Sequence, residues 1–337
     1  MAPKAKKQHY VPQFYLNAWS IPEKHQIHVY DKSTNAERIN NISDVASERY
    51  FYDANVNDLF SQEYLDLLRQ EGYELPEENV QLLEQTLSEG IEKPFSDLIK
   101  EILEKAKNAT PWHIKNCLFL KDNQKKINFS VYLAVQMIRV KTARDNLTDI
   151  SKCVTQALTD RNTPDSVISN YEISESEAKS MHIQMLMDLP AMAELATSFH
   201  RLTWILGINK TTRKFYTSDN PICTIPHIKS PYASMSGVSS KGVEVLFPLS
   251  PEVILLMLDG SYHTEALPFE RRYIEIRDNQ YIDSYNSTIA INAKRCVFSF
   301  DGNYELIEGM IKRNPRIFNQ GHVQLTWAGK TYLPENK

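Results

Sequence analysis

TWILGIN, Thr203 to Asn209, is where the pattern of the chain changes. Before it, apolar residues recur at helical spacing over long stretches. From it onward they come in short runs rich in β-branched and aromatic residues. RKFYTSD, NPICTIP, VEVLFPLSP, EVILLML, YIEIRD and CVFSFD follow in order, broken by Pro, Gly, Asn and Asp. Such runs read as strands separated by turns, so residues 202–337 are expected to be β-rich.

Working back from Thr203, residues 57–201 read as helical. NDLFSQEYLDLLRQEG places Leu59, Phe60, Tyr64, Leu67 and Leu68 at helical spacing and ends near Gly72. A second helix opens at Pro76, with Pro94 expected to kink or divide it. A third runs from about Gln124 to Asp160 and a fourth from Ser174 to about His200, where Ser174-x-x-Glu177 matches a capping box and Pro190 predicts a kink. The RNTPDSVISNYEI link between them reads as loop. Residues 1–56 hold an aromatic arm, QHYVPQFYL, and strand-like runs at HQIHVYD and ERYFYD. The fold class is therefore α+β: an N-terminal β segment, a long-helix middle and a β-rich C-terminal half, expected to pack as one large domain over residues 1–337. The loop Lys229–Gly242 has the small polar composition of a surface excursion.

Composition narrows the function classes. The chain has 337 residues with a formal net charge of -4, so no global basic field exists to hold nucleic acid, and binding it would take a local patch. The most apolar run, Phe129 to Val140, has twelve residues and contains Arg139, too short and too charged to span a bilayer. With no membrane span and no signal h-region at the N-terminus, a cytoplasmic protein is expected. The cysteines, Cys117, Cys153, Cys223 and Cys296, have no metal-ligand spacing and read as small buried hydrophobes in a reducing compartment.

Three places could carry chemistry. The run from Phe129 to Val140 has apolar side chains at nearly every angle, so both sides of that helix should be covered. Gln136 and Arg139 share one face within it. A buried guanidinium must find a carboxylate, carbonyls or an anionic ligand, and the bland reading is an ion pair between helices. Glu84 and Glu89 are possible partners, and Arg144 follows beyond the apolar stretch. The second place is TSDNP, Thr217 to Pro221, at a strand end. Asp219 could bind a metal or act as a base beside Ser218 and Asn220, although the same residues are ordinary turn formers. The third is the arm itself. His9 could be a general base or metal ligand, with Gln13 four residues on, and Pro12 favours an extended backbone followed by a helical turn. The aromatics would dock the arm against the body. His182 reads as a core histidine.

Across almost the whole chain, QHYVPQFYLNAW, the Gln136-x-x-Arg139 pair, FYTSDNPI, LFPLSPEVIL and YNSTIAINAKRCVFS resemble a bacterial and fungal family, domain of unknown function 4238. Trp19 stands where that family more often shows Phe. The resemblance implies that His9, Tyr10, Pro12, Tyr15, Gln136, Arg139, Ser218, Asp219, Asn220, Pro221 and Asn286 match its signature, and it brings no reaction with it. The leading expectation is a metal-assisted phosphate or phosphodiester hydrolase, a nuclease in bacterial defence being one form. In it His9, Asp219 and Arg139 are catalytic, His9 and Asp219 hold Mg²⁺ or Mn²⁺, and Gln13, Gln136, Arg144, Ser218, Asn220 and Asn286 contact an anionic substrate. The alternatives are a non-catalytic sensor or binding module for an anionic small molecule or protein partner, and a purely structural polar network fixing the arm.

Overall fold

Every residue of Thr203–Asn209 is buried, and in the computed structural model this strand lies inside a five-stranded sheet. The structure describes residues 6–54, 56–72, 82–230, 234–318 and 323–334. In chain order the strands are β1 (Lys7–His9), β2 (Gln26–Asp31), β3 (Ala36–Asn41), β4 (Ser47–Arg49), β5 (Thr203–Asn209), β6 (Thr217–Ser218), β7 (Cys223–Pro226), β8 (Val243–Ser250), β9 (Val253–Leu258), β10 (Arg272–Ile276) and β11 (Cys296–Ser299). A hairpin of β12 (Leu325–Trp327) and β13 (Lys330–Tyr332) follows.

The large sheet has the order β10-β5-β9-β8-β7, with β5 and β10 parallel and the other pairs antiparallel. Side chains alternate across a strand, so β5 feeds two cores. Trp204, Leu206 and Ile208 join Phe247, Leu255 and Met257 against Phe129 and Leu133 of the helix Asn123–Arg139. Ile205 joins Leu246, Ile254 and Leu256 against Ile282 and Ile289 of the helix Asn279–Asn292. Covering both faces explains why the strand reads as a near-continuous apolar run. Gly207 lies on the second face, where a Cβ would come 2.8 Å from Ile276 Cδ1 and 2.9 Å from Ile254 Cγ2.

A smaller antiparallel sheet, β3-β2-β11-β6, joins residues from both ends of the chain. The arm is docked rather than frayed. β1 pairs with β4, Pro12 is extended (φ -61°, ψ 141°) and Gln13–Leu16 makes the helical turn. Tyr15 stacks on Phe247, centroids 5.2 Å apart at 7°, and its hydroxyl donates to the Pro248 carbonyl at 2.7 Å. Trp19 Nε1 donates to the Phe215 carbonyl.

The helical region departs from expectation at several points. The helix expected over Gln124–Asp160 is two helices, Asn123–Arg139 and Lys141–Thr159, because Val140 is extended (φ -71°, ψ 154°). Pro190 does not kink the fourth helix but opens a new one. Glu175–Met187 ends at Asp188, whose side chain accepts from the Ala191 N–H and caps Leu189–Arg201. The Ser174–Glu177 capping box is present with both of its hydrogen bonds. At Pro94 the helix continues, but a π-helical segment, Thr86–Glu92, precedes the α-helix Lys93–Lys107. The missing proline N–H removes one α-type bond, and π turns relieve that misfit. The first helix is divided into Val56–Leu59 and Gln62–Gln70, and its buried residue is Leu65, while Tyr64 and Leu67 face solvent. Pro76 lies outside the described residues. The 161–173 link holds a short helix, Asp165–Ile168, and a 3₁₀ turn. The C-terminal half also contains two helices, Asn279–Asn292 and Glu305–Arg313, that its strand-like runs did not announce. Among the described residues no helix is long and apolar enough to cross a membrane, and all four cysteines are free.

Candidate functional site

The covered helix Asn123–Arg139 carries Gln136 and Arg139 into the seam between arm and body, both buried. Arg139 Nη2 donates to the His9 carbonyl at 2.7 Å and pairs with Glu92 Oε1 at 2.8 Å. Its Nε lies 3.3 Å from the Tyr52 hydroxyl, which itself donates to the Arg139 carbonyl. Burial works against the guanidinium charge, but Tyr52 and Glu92 more than offset it and hold the group firmly protonated. Gln136 Nε2 donates to the Tyr10 carbonyl and its Oε1 accepts from the Tyr132 hydroxyl. Sequence spacing suggested Glu84 and Glu89 as partners. The ion pair falls instead on Glu92, because the wider π turns change which side chains share a face.

Two more acids adjoin this network. Asp53 is buried and accepts from Gln8 Nε2 at 2.5 Å, while Gln8 Oε1 takes the Tyr52 N–H. Glu84 has its carboxyl pushed up to about 7, by burial first and then by Glu92 and Asp53, with Arg139 pulling the other way. Two polar atoms here are buried without a hydrogen-bond partner: Glu84 Oε2 and Arg139 Nη1. The His9 ring turns away from both: its Nε2 donates to the Ser43 carbonyl, and burial, followed by Lys7 and Arg139, lowers its pKa. Gln13 is exposed.

Asp219 sits at the strand end foreseen for it, but its carboxylate is engaged by main chain. Oδ1 accepts from the Lys294 N–H and Oδ2 from the N–H groups of Arg295 and Cys296, at 2.8–2.9 Å. Burial raises its pKa, and those three donors together with Lys32 oppose the rise. Lys32 Nζ in turn donates to the carbonyls of Ala290, Ile291 and Ala293, which close the helix Asn279–Asn292. Asn220 Nδ2 donates to the Asn292 carbonyl. Ser218 Oγ accepts from the Asn220 N–H and donates to the Asn220 carbonyl, closing the turn on itself. Asn286 accepts from the Tyr216 N–H and donates to the Lys214 carbonyl. TSDNP is thus a clamp that fastens a helix C-terminus to the small sheet.

Arg144 stacks on Phe51 at 3.6 Å and donates through Nη2 to the Phe51 carbonyl and to His182 Nδ1. His182 donates from Nε2 to the Ile138 carbonyl, so it is a neutral, satisfied core histidine with its pKa lowered to about 4, chiefly by burial. Arg139 and His9 therefore meet through a backbone carbonyl, Arg139 binds Glu92 and Tyr52 with Glu84 close by, and Asp219 belongs to a separate clamp. Glu92, Tyr52, Asp53 and Lys32 went unrecognised as partners in sequence. The acidic character of the 84–92 turns was visible there, whereas nothing marked Lys32. Among the described residues no three His, Cys, Asp or Glu side chains group as a set that could hold a metal ion.

The family model described as "Protein of unknown function (DUF4238)" matches residues 7–303. The chain belongs to the DUF4238 family. No curated protein and no solved structure matches it. In this DUF4238 protein the family match ends shortly after Asp301, so it takes in the arm, the Arg139 seam and the Asp219 clamp but not the β12–β13 hairpin.

Proposed function

We propose that this DUF4238 protein hydrolyses an anionic ester of the phosphate or phosphodiester class at the Arg139–Glu84 seam. One observation carries the reading: a carboxyl whose pKa lies at about 7 stands near a guanidinium, and each has a buried polar atom without a partner. A group titrating near neutral pH can both take and return a proton, the requirement for general acid–base work. Titratable groups with shifted pKa values cluster at functional sites, where burial and a nearby charge set them. Glu84 would move the proton. Arg139 Nη1 would face the charge that develops on the phosphoryl oxygens, already held in place by His9, Glu92 and Tyr52. His9 then serves the site through its main-chain carbonyl, which holds Arg139, while Asp219 stands apart in its own clamp. A divalent cation, Mg²⁺ or Mn²⁺, would supply neutralisation that one guanidinium gives only in part.

The test is turnover of chromogenic phosphomonoesters and phosphodiesters and of single- and double-stranded nucleic acid, each with and without Mg²⁺ or Mn²⁺. Glu84→Gln should lose at least 100-fold while remaining folded. No turnover by the wild-type protein under any condition, or full activity in Glu84→Gln, ends this reading.

A second reading is a non-catalytic binding module for an anionic small molecule. It is favoured by the commitment of the motif side chains Asp219, Gln136 and Asn286 to main-chain groups. It expects an anion that raises the melting temperature of both the wild type and Glu84→Gln without being consumed.

A further inference from the structure

A second group of titratable side chains lies away from Arg139, at the end of the large sheet where β7 runs out and β8 begins. His227 follows β7, Glu244 is the second residue of β8, and His263 closes the turn after β9. His227 Nε2 donates to Glu244 Oε2 at 2.8 Å. Glu244 is buried and its Oε1 accepts from the Tyr285 hydroxyl at 3.0 Å, so the carboxylate is fixed from both sides. The His263 ring stands nearly perpendicular to that of His227, with centroids 4.7 Å apart. His263 is only 7% exposed, and its Nε2 is buried with no hydrogen-bond partner. Its Nδ1 lies 3.7 Å from Glu265 Oε1.

An imidazole that has given one N–H to a fixed carboxylate offers its other nitrogen as a lone-pair donor, the arrangement found behind metal-bound histidines. The carboxylate sets the tautomer and raises the basicity of the free nitrogen. Here Glu244 fixes the tautomer of His227 and leaves Nδ1 free, on a side chain that is partly solvent-accessible. His263 supplies a second imidazole whose Nε2 is buried and unpartnered, a costly state for a polar atom unless something binds it. The ring centroids stand 4.7 Å apart, and zinc–nitrogen bonds of about 2.0–2.1 Å would require His227 Nδ1 and His263 Nε2 to face one point between the rings.

We propose that His227 and His263 form a two-imidazole site for a borderline transition-metal cation, Zn²⁺ foremost, with Glu244 and Tyr285 as the supporting layer. Nitrogen donors favour Zn²⁺, Ni²⁺ and Cu²⁺ over Mg²⁺ or Ca²⁺. Two protein ligands leave coordination positions for water or for a small ligand, so the site is open rather than a closed structural one. It stands independently of the Arg139–Glu84 reading and shares no residue with it.

The experiment is titration of the metal-free full-length chain with Zn²⁺ by calorimetry and with Co²⁺ by visible absorption, with Mg²⁺ as control. One equivalent of Zn²⁺ should bind with micromolar or better affinity, and Co²⁺ should give a d–d spectrum. His227→Asn, at the partly exposed position, should remain folded and abolish both signals. His263→Gln should do the same, and Glu244→Gln should weaken binding 10–100-fold. Absence of stoichiometric Zn²⁺ binding overturns the proposal, as does undiminished binding by a folded His227→Asn protein, which would place the metal on other histidines.

Discussion

Arg139 Nη2 donates to the main-chain carbonyl of His9 at 2.7 Å, so the two residues meet without the histidine ring taking part. That hydrogen bond, the Glu92 ion pair and the Gln136–Tyr10 bond tie the arm to the helix Asn123–Arg139. Replacing Arg139 by Ala leaves Glu92 without its cation and the His9 carbonyl without its donor. Breaking a buried pair on one side typically costs about 3–5 kcal/mol. Urea denaturation of Arg139→Ala at pH 7 should show a loss in that range, with Arg139→Lys recovering only part of it.

Glu84 makes stability depend on pH in a definite direction. Its carboxyl is raised from 4.5 to about 7, so the folded chain holds that proton more tightly than the unfolded chain does. The stabilisation is complete below about pH 4.5 and is lost as pH rises through 7. Glu84→Gln removes the loss. The variant should gain stability over wild type above pH 7, by on the order of 1–2 kcal/mol because part of the carboxyl meets water, and show little difference near pH 4. Melting curves taken from pH 4 to 8 decide it; a constant offset between the two proteins would contradict the titration.

His182 works in the opposite sense. Its pKa is lowered to about 4 because burial disfavours the imidazolium. The stability tied to its neutral form is complete above about pH 6.5 and is lost as pH falls toward 4, by up to about 3 kcal/mol. In NMR spectra its ring shifts should stay constant down to about pH 5 while exposed histidines titrate.

Asp219→Ala strips the N–H groups of Lys294, Arg295 and Cys296 of their acceptor. Each unsatisfied buried group costs roughly 1–3 kcal/mol. The loss should appear first as fast amide exchange at 294–296 and at the end of the helix Asn279–Asn292, with the large sheet protected longer. Uniform loss of protection across the molecule would argue against a local clamp.

Gly207→Ala pushes a methyl against Ile276 and Ile254 at 2.8 and 2.9 Å. Both neighbours are side-chain carbons in a filled core, so relief requires repacking, and overpacking of this kind costs about 1–3 kcal/mol. Thermal unfolding measures it directly.

Much of the site could be anticipated, but as positions rather than partnerships. The apolar run around Gln136 and Arg139 marked a covered helix holding a charge, and the structure buries both. The aromatics of QHYVPQFYL marked a docked terminus, and Tyr15 and Trp19 do lock into the sheet region. Asp219 stood out as a strand-end acid, yet its carboxylate is taken up by amides about 75 residues later in the chain. No local pattern can show that, since a backbone N–H has the same chemistry at every position. The Arg139 ion pair likewise falls on Glu92 rather than on Glu84 or Glu89, within π turns that a 3.6-residue template does not represent.

By itself the sequence determined the α+β order, the burial of the helix face that holds Gln136 and Arg139 and the strand-end place of Asp219. Periodicity and side-chain polarity are local properties, and burial follows them. Which acid meets Arg139, why Glu84 titrates near neutrality and how His227 comes to lie beside His263 were decided only by tertiary structure. Those relations depend on distances between segments far apart in the chain, and on the water that packing removes from between them.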